Sequence, residues 1–257
     1  MGDEGPLNGS GRVLIAGESW VTHSIHQKGF DAFTTTSYHE GVGPLRSALE
    51  QGGFAVDYLP NHLAAAEFPR TPAELEPFVV VILSDIGSNT LLLHPDTFER
   101  SAPMPDRPAA IRDYVSAGGG LVMVGGYLTF QGIDGRARWA GTPVEAALPV
   151  TMLLIDDRVE VPSGITPVIR MPGHPIVAGL PGEWPALLGY NRVLPRDGAD
   201  VIVSVGDDPL IVAGDHGRGR SVAFTSDCGP HWCPPPFVDW EGYTTMWQQL
   251  VAWVAGG

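Results

Sequence analysis

The stretch Gly118-Gly-Gly-Leu-Val-Met-Val-Gly-Gly-Tyr-Leu-Thr-Phe-Gln-Gly132 constrains this chain more than any other. Leu121 to Val124 form a short apolar run of the buried-strand kind, entered from a glycine turn and left through Gly125 and Gly126, where the backbone can bend sharply. In a parallel α/β sheet, that end of a strand is where ligands bind. The geometry expected is a nucleophile elbow, a tight strand-to-helix bend that lifts one side chain above the sheet, and the residue at that place is Tyr127. Tyrosine is a poor nucleophile, so the chemistry has to be sought in what faces the bend.

The elements on either side agree with a doubly wound sheet. Arg12 to Gly17 reads as a first strand buried on both faces. A long segment from Glu18 to Glu40, rich in polar and aromatic residues, reads as a functional loop. Helical spacing of Leu45, Ala48 and Leu49 predicts a helix over 43–51 that stops at Gly52 and Gly53. Phe54 to Leu59 and the β-branched run Phe78 to Ser84 are further strands, and Asp106 to Ala117 is a helix with Pro108 in its first turn. Beyond the bend, short pieces at 151–155, 166–171, 201–205, 210–213 and 221–225 predict antiparallel additions at the sheet edge, and Tyr243 to Val254 a closing amphipathic helix.

Composition narrows the function. The 257 residues suit one domain with a flexible lead over 1–11, and 44% hydrophobic against 17% charged residues supports a large core. Asp and Glu outnumber Lys and Arg by 29 to 15, and Lys28 is the single lysine, so nucleic-acid binding is excluded by charge. No apolar run reaches membrane-spanning length and no signal-peptide pattern opens the chain, so it is expected in the cytoplasm, away from membranes.

Five segments then carry a resemblance: Val13-Leu-Ile-Ala-Gly-Glu-Ser-Trp20, Ser84-Asp-Ile-Gly-Ser-Asn89, Gly125 to Gly132 with Gly141 to Pro149, Gly173-His-Pro-Ile176, and Gly217 to Ser226. Across nearly its whole length the chain resembles the class I glutamine amidotransferase-like superfamily, in a divergent branch near the trehalose-utilisation (ThuA-like) proteins. The fold expected is a flavodoxin-like three-layer α/β sandwich with a mostly parallel central sheet and antiparallel edge additions. Glutaminases of that superfamily carry a cysteine at the elbow and a His-Glu pair near the C-terminal end of the sheet. Here Tyr127 stands at the elbow, and Ser226-Asp-Cys-Gly-Pro-His-Trp232 occupies the stretch where His-x-Glu is sought, so glutaminase activity is not expected.

The candidate catalytic residues are Tyr127, Glu18, Asp85, Cys228 and His231. Cys228 and His231 could form an activated thiol–imidazole pair, or simply a buried thiol and a loop histidine. Ser19, Trp20, Ser88, Asn89, Gly126, Gln131, Asp227 and Trp232 are candidate substrate contacts, against the plainer role of short polar residues in turns and of aromatics in cores or subunit interfaces. No cofactor is expected; a divalent metal is a minor alternative, with His23, His26 and His39 as candidate ligands. Gly132 to Arg138 lacks the Gly-Lys-Ser/Thr ending of a nucleotide phosphate loop. Two functions stay open: an enzyme on a small polar, carbohydrate-derived or amide-bearing metabolite, or a non-catalytic ligand-binding or oligomer-assembly module. A small-molecule ligand and a homo-oligomer are the expected partners.

Overall fold

The apolar run after Arg12 becomes the first strand, β1 (Arg12–Gly17), in the computed structural model, which describes residues 11–256. The lead expected over 1–11 lies, apart from Gly11, outside the described residues. Where a functional loop is expected, β2 (Ser19–Lys28) and β3 (Asp31–Glu40) form a hairpin, paired without a break from Ser19 opposite Glu40 to Lys28 opposite Asp31. Its residue types explain it. Val21, Thr22, Ile25, Phe33 and Thr34 to Thr36 favour strands, and Gly29, at φ 62°, supplies the turn at the tip.

The helix α1 (Gly43–Gln51) buries Leu45, Ala48 and Leu49, and Gly53 beyond it takes φ 88°. Then come β4 (Ala55–Leu59), α2 (Asn61–Glu67), α3 (Pro72–Leu75), β5 (Phe78–Ser84), α4 (Ser88–Leu92) and α5 (Pro95–Arg100). Next is α6 (Arg107–Ser116), capped by Asp106 accepting from the Ala109 N–H, and it leads into β6 (Gly120–Val124). The chain leaves β6 into a turn rather than a helix, with a single 3₁₀ turn at Ile133–Gly135 before α7 (Pro143–Ala147). The expected strand-to-helix elbow is thus replaced by an irregular bend.

The second half holds β7 (Val150–Met152), β8 (Arg158–Ile165), β9 (Pro167–Ile169), β10 (Leu187–Asn191), β11 (Val193–Pro195), β12 (Asp200–Val205), β13 (Asp208–His216) and β14 (Gly219–Phe224). Two helices close it, α8 (Pro235–Val238) and α9 (Glu241–Val254). The main sheet has the order β4-β1-β5-β6-β14-β13-β12-β9, parallel from β4 to β14 and antiparallel beyond. Of the expected edge pieces, β9, β12 and β13 are antiparallel additions. β14 instead joins β6 in parallel, and β7 leaves the sheet to pair with β11. Turn signals mark the β13–β14 hairpin, but they do not say which of its strands also borders the parallel block.

Side chains alternate between two cores, as the period of two along a strand requires. Val13 and Ile15, Val80 and Ile82, and Val122 and Val124 face the layer of α1 and α9. Leu14 and Ala16, Val81 and Leu83, and Leu121 and Met123 face the layer of α6 and α7. The result is the three-layer α/β sandwich of flavodoxin type. Because β1 is flanked by β4 on one side and β5 on the other, the chain reverses its winding direction between β1 and β5, and the crevice at that point is where such sheets bind ligands. Gly17 closes β1 there at φ 113°, and a Cβ on it would run into the Ser84 carbonyl. We expect Gly17→Ala to cost about 3 kcal/mol or more, read as a lowered urea midpoint.

Candidate functional site

Parallel pairing aligns Gly17 with Ser84 and Ser84 with Val124, and Val124 with Phe224, so the residues that follow these strands emerge side by side. Three of them are carboxylic acids: Glu18 after β1, Asp85 after β5 and Asp227 after β14. Glu18 and Asp85 both take left-handed backbone conformations, φ 49° and 43°. Such conformations cost of order 1–3 kcal/mol each in a non-glycine residue and are held where the surroundings over-determine them, often at functional sites. Here the Glu18 N–H donates to the Ser84 carbonyl (2.8 Å), and the Glu18 carbonyl accepts from the Gly41 N–H (3.0 Å). Asp85 Oδ1 accepts from the Leu128 N–H (2.7 Å).

Glu18 and Asp227 are buried and Asp85 is half-buried. Burial, and then the neighbouring Asp85, push the Glu18 carboxyl up to about 7 although the Ser84 hydroxyl donates to it. Burial and the facing Glu18 and Asp85 push Asp227 well above the carboxylate range. Asp85 is raised by burial as well, but the Leu128 N–H and His231 pull it back. Protons therefore collect on the inner pair, while the carboxyl nearest solvent ionises most easily.

Cys228 lies in the same cluster, fully buried, 3.7 Å from the Ser84 hydroxyl. Burial and the Glu18 and Asp227 carboxyls push its thiol well up, the opposite of what a nucleophilic thiolate needs. Of the two readings the sequence left open for Cys228 and His231, the geometry fits a buried thiol and a loop histidine: His231 is exposed and turned to the aromatic rim, and Cys233 is a second buried free thiol. The Sγ of Cys228 and carboxylate oxygens of Glu18 and Asp227 all lie within 4.8 Å of one another, the one group among the described residues that converges closely enough for a metal ion. His23, His26 and His39 do not converge. They lie on the hairpin and bond to Thr36, Thr35 and Ser37, and strand geometry puts His23 on the face opposite His26.

Over the acids stands a wall of rings. Tyr127 stacks on His231 (centroids 5.7 Å apart, planes at 13°) and meets the edge of buried Trp232 at 5.5 Å. Trp20 lies 5.5 Å from His231 and stacks on His39 at 5.6 Å. Arg158 covers the Tyr127 ring at 5.1 Å, and Trp232 Nε1 donates to Glu160 (3.0 Å). Burial first, then Glu160, raises the Tyr127 phenol, so it is a donor here rather than a base.

The bend itself is locked from β10 and the start of β8. Asn191 Oδ1 accepts from the Gly126 N–H (3.0 Å), and its amide donates to Asp157 (2.8 Å), which also takes the Gln131 and Gly132 N–H groups. A Cβ on Gly126, at φ 148°, would sit 2.9 Å from Asp85 Oδ1. Sequence reasoning missed Asp157, Arg158, Glu160 and Asn191. A signal existed in the polar cluster Asp156-Asp-Arg-Val-Glu160, but it lies in a part of the chain that joins the site only through folding. Of the remaining candidates, Ser19 accepts from the Asn61 N–H and holds α2, while Ser88, Asn89 and Gln131 line a different cavity, described below.

Comparison with known proteins gives the family of the chain. The GATase1-like family model, described as "Putative glutamine amidotransferase", matches residues 12–256. A cytoplasmic protein of Salmonella typhimurium is 43% identical over 94% of this chain and 98% of its own, with a TM-score of 0.91. A second from the same organism is 44% identical over 95% and 99%, also at 0.91. A ThuA-like protein of Parabacteroides merdae shares the fold at TM-score 0.59, with 15% identity over 95% of this chain and 89% of its own. Among curated proteins none matches.

The proton on Glu18 has a consequence for stability. Its folded value of about 7 lies above the ~4.3 of an exposed glutamate, so its contribution to folding is full below pH ~4 and is lost as pH rises through about 7. Glu18→Gln keeps the shape and removes the titration. It is expected to exceed the native chain in stability at pH ~8 by up to about 3 kcal/mol and to match it near pH ~4. Urea unfolding at the two pH values checks this, and identical pH dependence in both chains would rule out the buried proton.

Proposed function

The chain belongs to the GATase1-like family of glutamine amidotransferase-like proteins, and on that premise we propose that it is an acid–base enzyme, a hydrolase or lyase acting on a small neutral polar metabolite, and not a glutaminase. The observation that carries this is the acidic trio at the point where the sheet reverses its winding, with two of its members in left-handed backbone. Asp85, half-buried and steadied by the Leu128 N–H, is the group that meets the substrate. Glu18 behind it holds a proton at a value near neutral pH, where general acids and bases work best. Two carboxyls pushed to different protonation states by their surroundings are the usual basis for dividing acid and base roles. Trp20, Tyr127 and His231 offer flat, partly polar faces suited to the ring of a carbohydrate-derived substrate. A glutaminase is disfavoured because the residue at the bend is Tyr127 and the buried Cys228 is held as a thiol.

A metabolite panel screened by thermal shift supplies the substrate, since a ligand of the native state raises its melting temperature. With that substrate, Asp85→Asn is expected to lower kcat/KM by about 10²-fold or more, and Glu18→Gln to remove a pH-profile limb near 7. Full activity in both variants would sink the proposal. So would ammonia release from glutamine that Cys228→Ala abolishes. If activity instead requires added zinc and is lost in Cys228→Ser, the cluster is a metal centre and the acid role of Glu18 falls.

The β2–β3 hairpin supports a second reading, assembly with another copy of the chain. A lone two-stranded ribbon is marginally stable in water and leaves both edges unpaired. Seven of ten residues in β2 and all ten in β3 are exposed, among them Ile25 (78%) and Phe33 (51%). That approaches the roughly 20 residues each partner contributes to a standard interface. We expect a dimer in sedimentation analysis and a monomer for the double variant Ile25→Lys, Phe33→Lys. A monomeric native chain at about 10 μM, tenfold above a Kd of ~1 μM, would refute it.

A further inference from the structure

Away from the acidic trio, a cavity of about 450 Å³ opens between α4 and the segment after the bend, lined by Ser88, Asn89, Leu92, Gln131, Arg138 and Leu154 together with Ala140. Its volume falls in the range of small-ligand sites. The chemistry of its wall is one-sided. Gln131 is 7% exposed, and its Oε1 accepts the Ala140 N–H (3.1 Å), which fixes the amide so that the NH₂ group is the end left over. That NH₂ makes no hydrogen bond among the described residues, nor is it sealed away from solvent, so it presents two donors to the cavity. Arg138 stands beside it with a guanidinium that takes part in no ion pair or hydrogen bond among the described residues.

Arg138 is itself an exposed residue. Arg138 sits at φ 58°, and its carbonyl accepts from the Ser88 hydroxyl (2.9 Å), which is thereby used up as a donor. No carboxylate lines the cavity, in a chain whose formal net charge is −14. On the other side lie Leu92 and Leu154, the latter 84% exposed and so an apolar lip with nothing over it. A planar cation beside an amide NH₂ matches the two oxygens of a carboxylate, and the leucines match an aliphatic tail. We propose that this cavity binds a small amphipathic carboxylate, with Arg138 and Gln131 holding the carboxylate and Leu92 and Leu154 the tail. This site is independent of the acid–base reading of Glu18 and Asp85.

Hexanoate is the probe, with hexanamide as its uncharged counterpart and inorganic phosphate as an anion without a tail, each titrated by calorimetry into the full-length chain. Hexanoate is expected to bind, and hexanamide and phosphate to bind at least about tenfold more weakly. Arg138→Gln and Gln131→Glu, the second of which keeps the bond to Ala140, are each expected to weaken hexanoate about ten- to a hundredfold, and the exposed Arg138→Gln to do so with the unliganded melting temperature unchanged. Three results would overturn the proposal: no heat from hexanoate at about 10 mM, tenfold above a Kd of ~1 mM; native affinity in Arg138→Gln; or phosphate binding as tightly as hexanoate.

Discussion

Five parallel strands ending in register at one edge impose the constraint on which the rest depends. Apolar layers cover both faces of the inner strands, so polar residues gather where those strands end, Ser84 at the last position of β5 among them. Parallel pairing then brings those residues to one line, and at three of the exits the residue is an acid. The crowding of Glu18, Asp85 and Asp227 is a result of sheet register as much as of side-chain choice. It is also why the carboxyls cannot all ionise at once: they share a dry pocket whose walls are the strands themselves.

That pocket also decides the fate of the thiol. Cys228 is a candidate nucleophile away from the bend, yet the same burial and the same negative neighbours that store protons on the acids keep the proton on sulfur. The exposed imidazole of His231 cannot reverse this, because its ring is engaged with Tyr127 and Trp20 rather than with sulfur. One electrostatic environment thus favours carboxyl chemistry and suppresses thiolate chemistry.

The parallel core was legible because its strands are apolar on both faces and punctuated by glycines: Arg12 to Gly17, Phe78 to Ser84 and Leu121 to Val124 fall where their residue types put them. Glu18 and Asp85 were legible for the same reason, each directly following such a run, and Asp227 lies three residues past the end of β14. Less legible was anything decided by pairing over long sequence distance. Asn191 and Asp157 hold the bend from 65 and 26 residues away, and no local pattern marks them. The hairpin was misread for a different reason. Its histidines and threonines suggested a loop, whereas β-branched side chains and a single central glycine were the physically relevant signal.

The root of that hairpin limits what the chain can tolerate. Gly41, where β3 returns, has no side chain because the Glu18 carboxylate fills the space a Cβ would need, and its N–H closes the root on the Glu18 carbonyl. Trp20 and His39, one step further out, stack on each other, with Trp20 against His231, only while they remain opposite each other. A single inserted residue in either strand would rotate everything beyond it to the other face. The arm can therefore be lengthened or shortened only in matched pairs on both strands, a parity rule imposed on the periphery by the acid at its base.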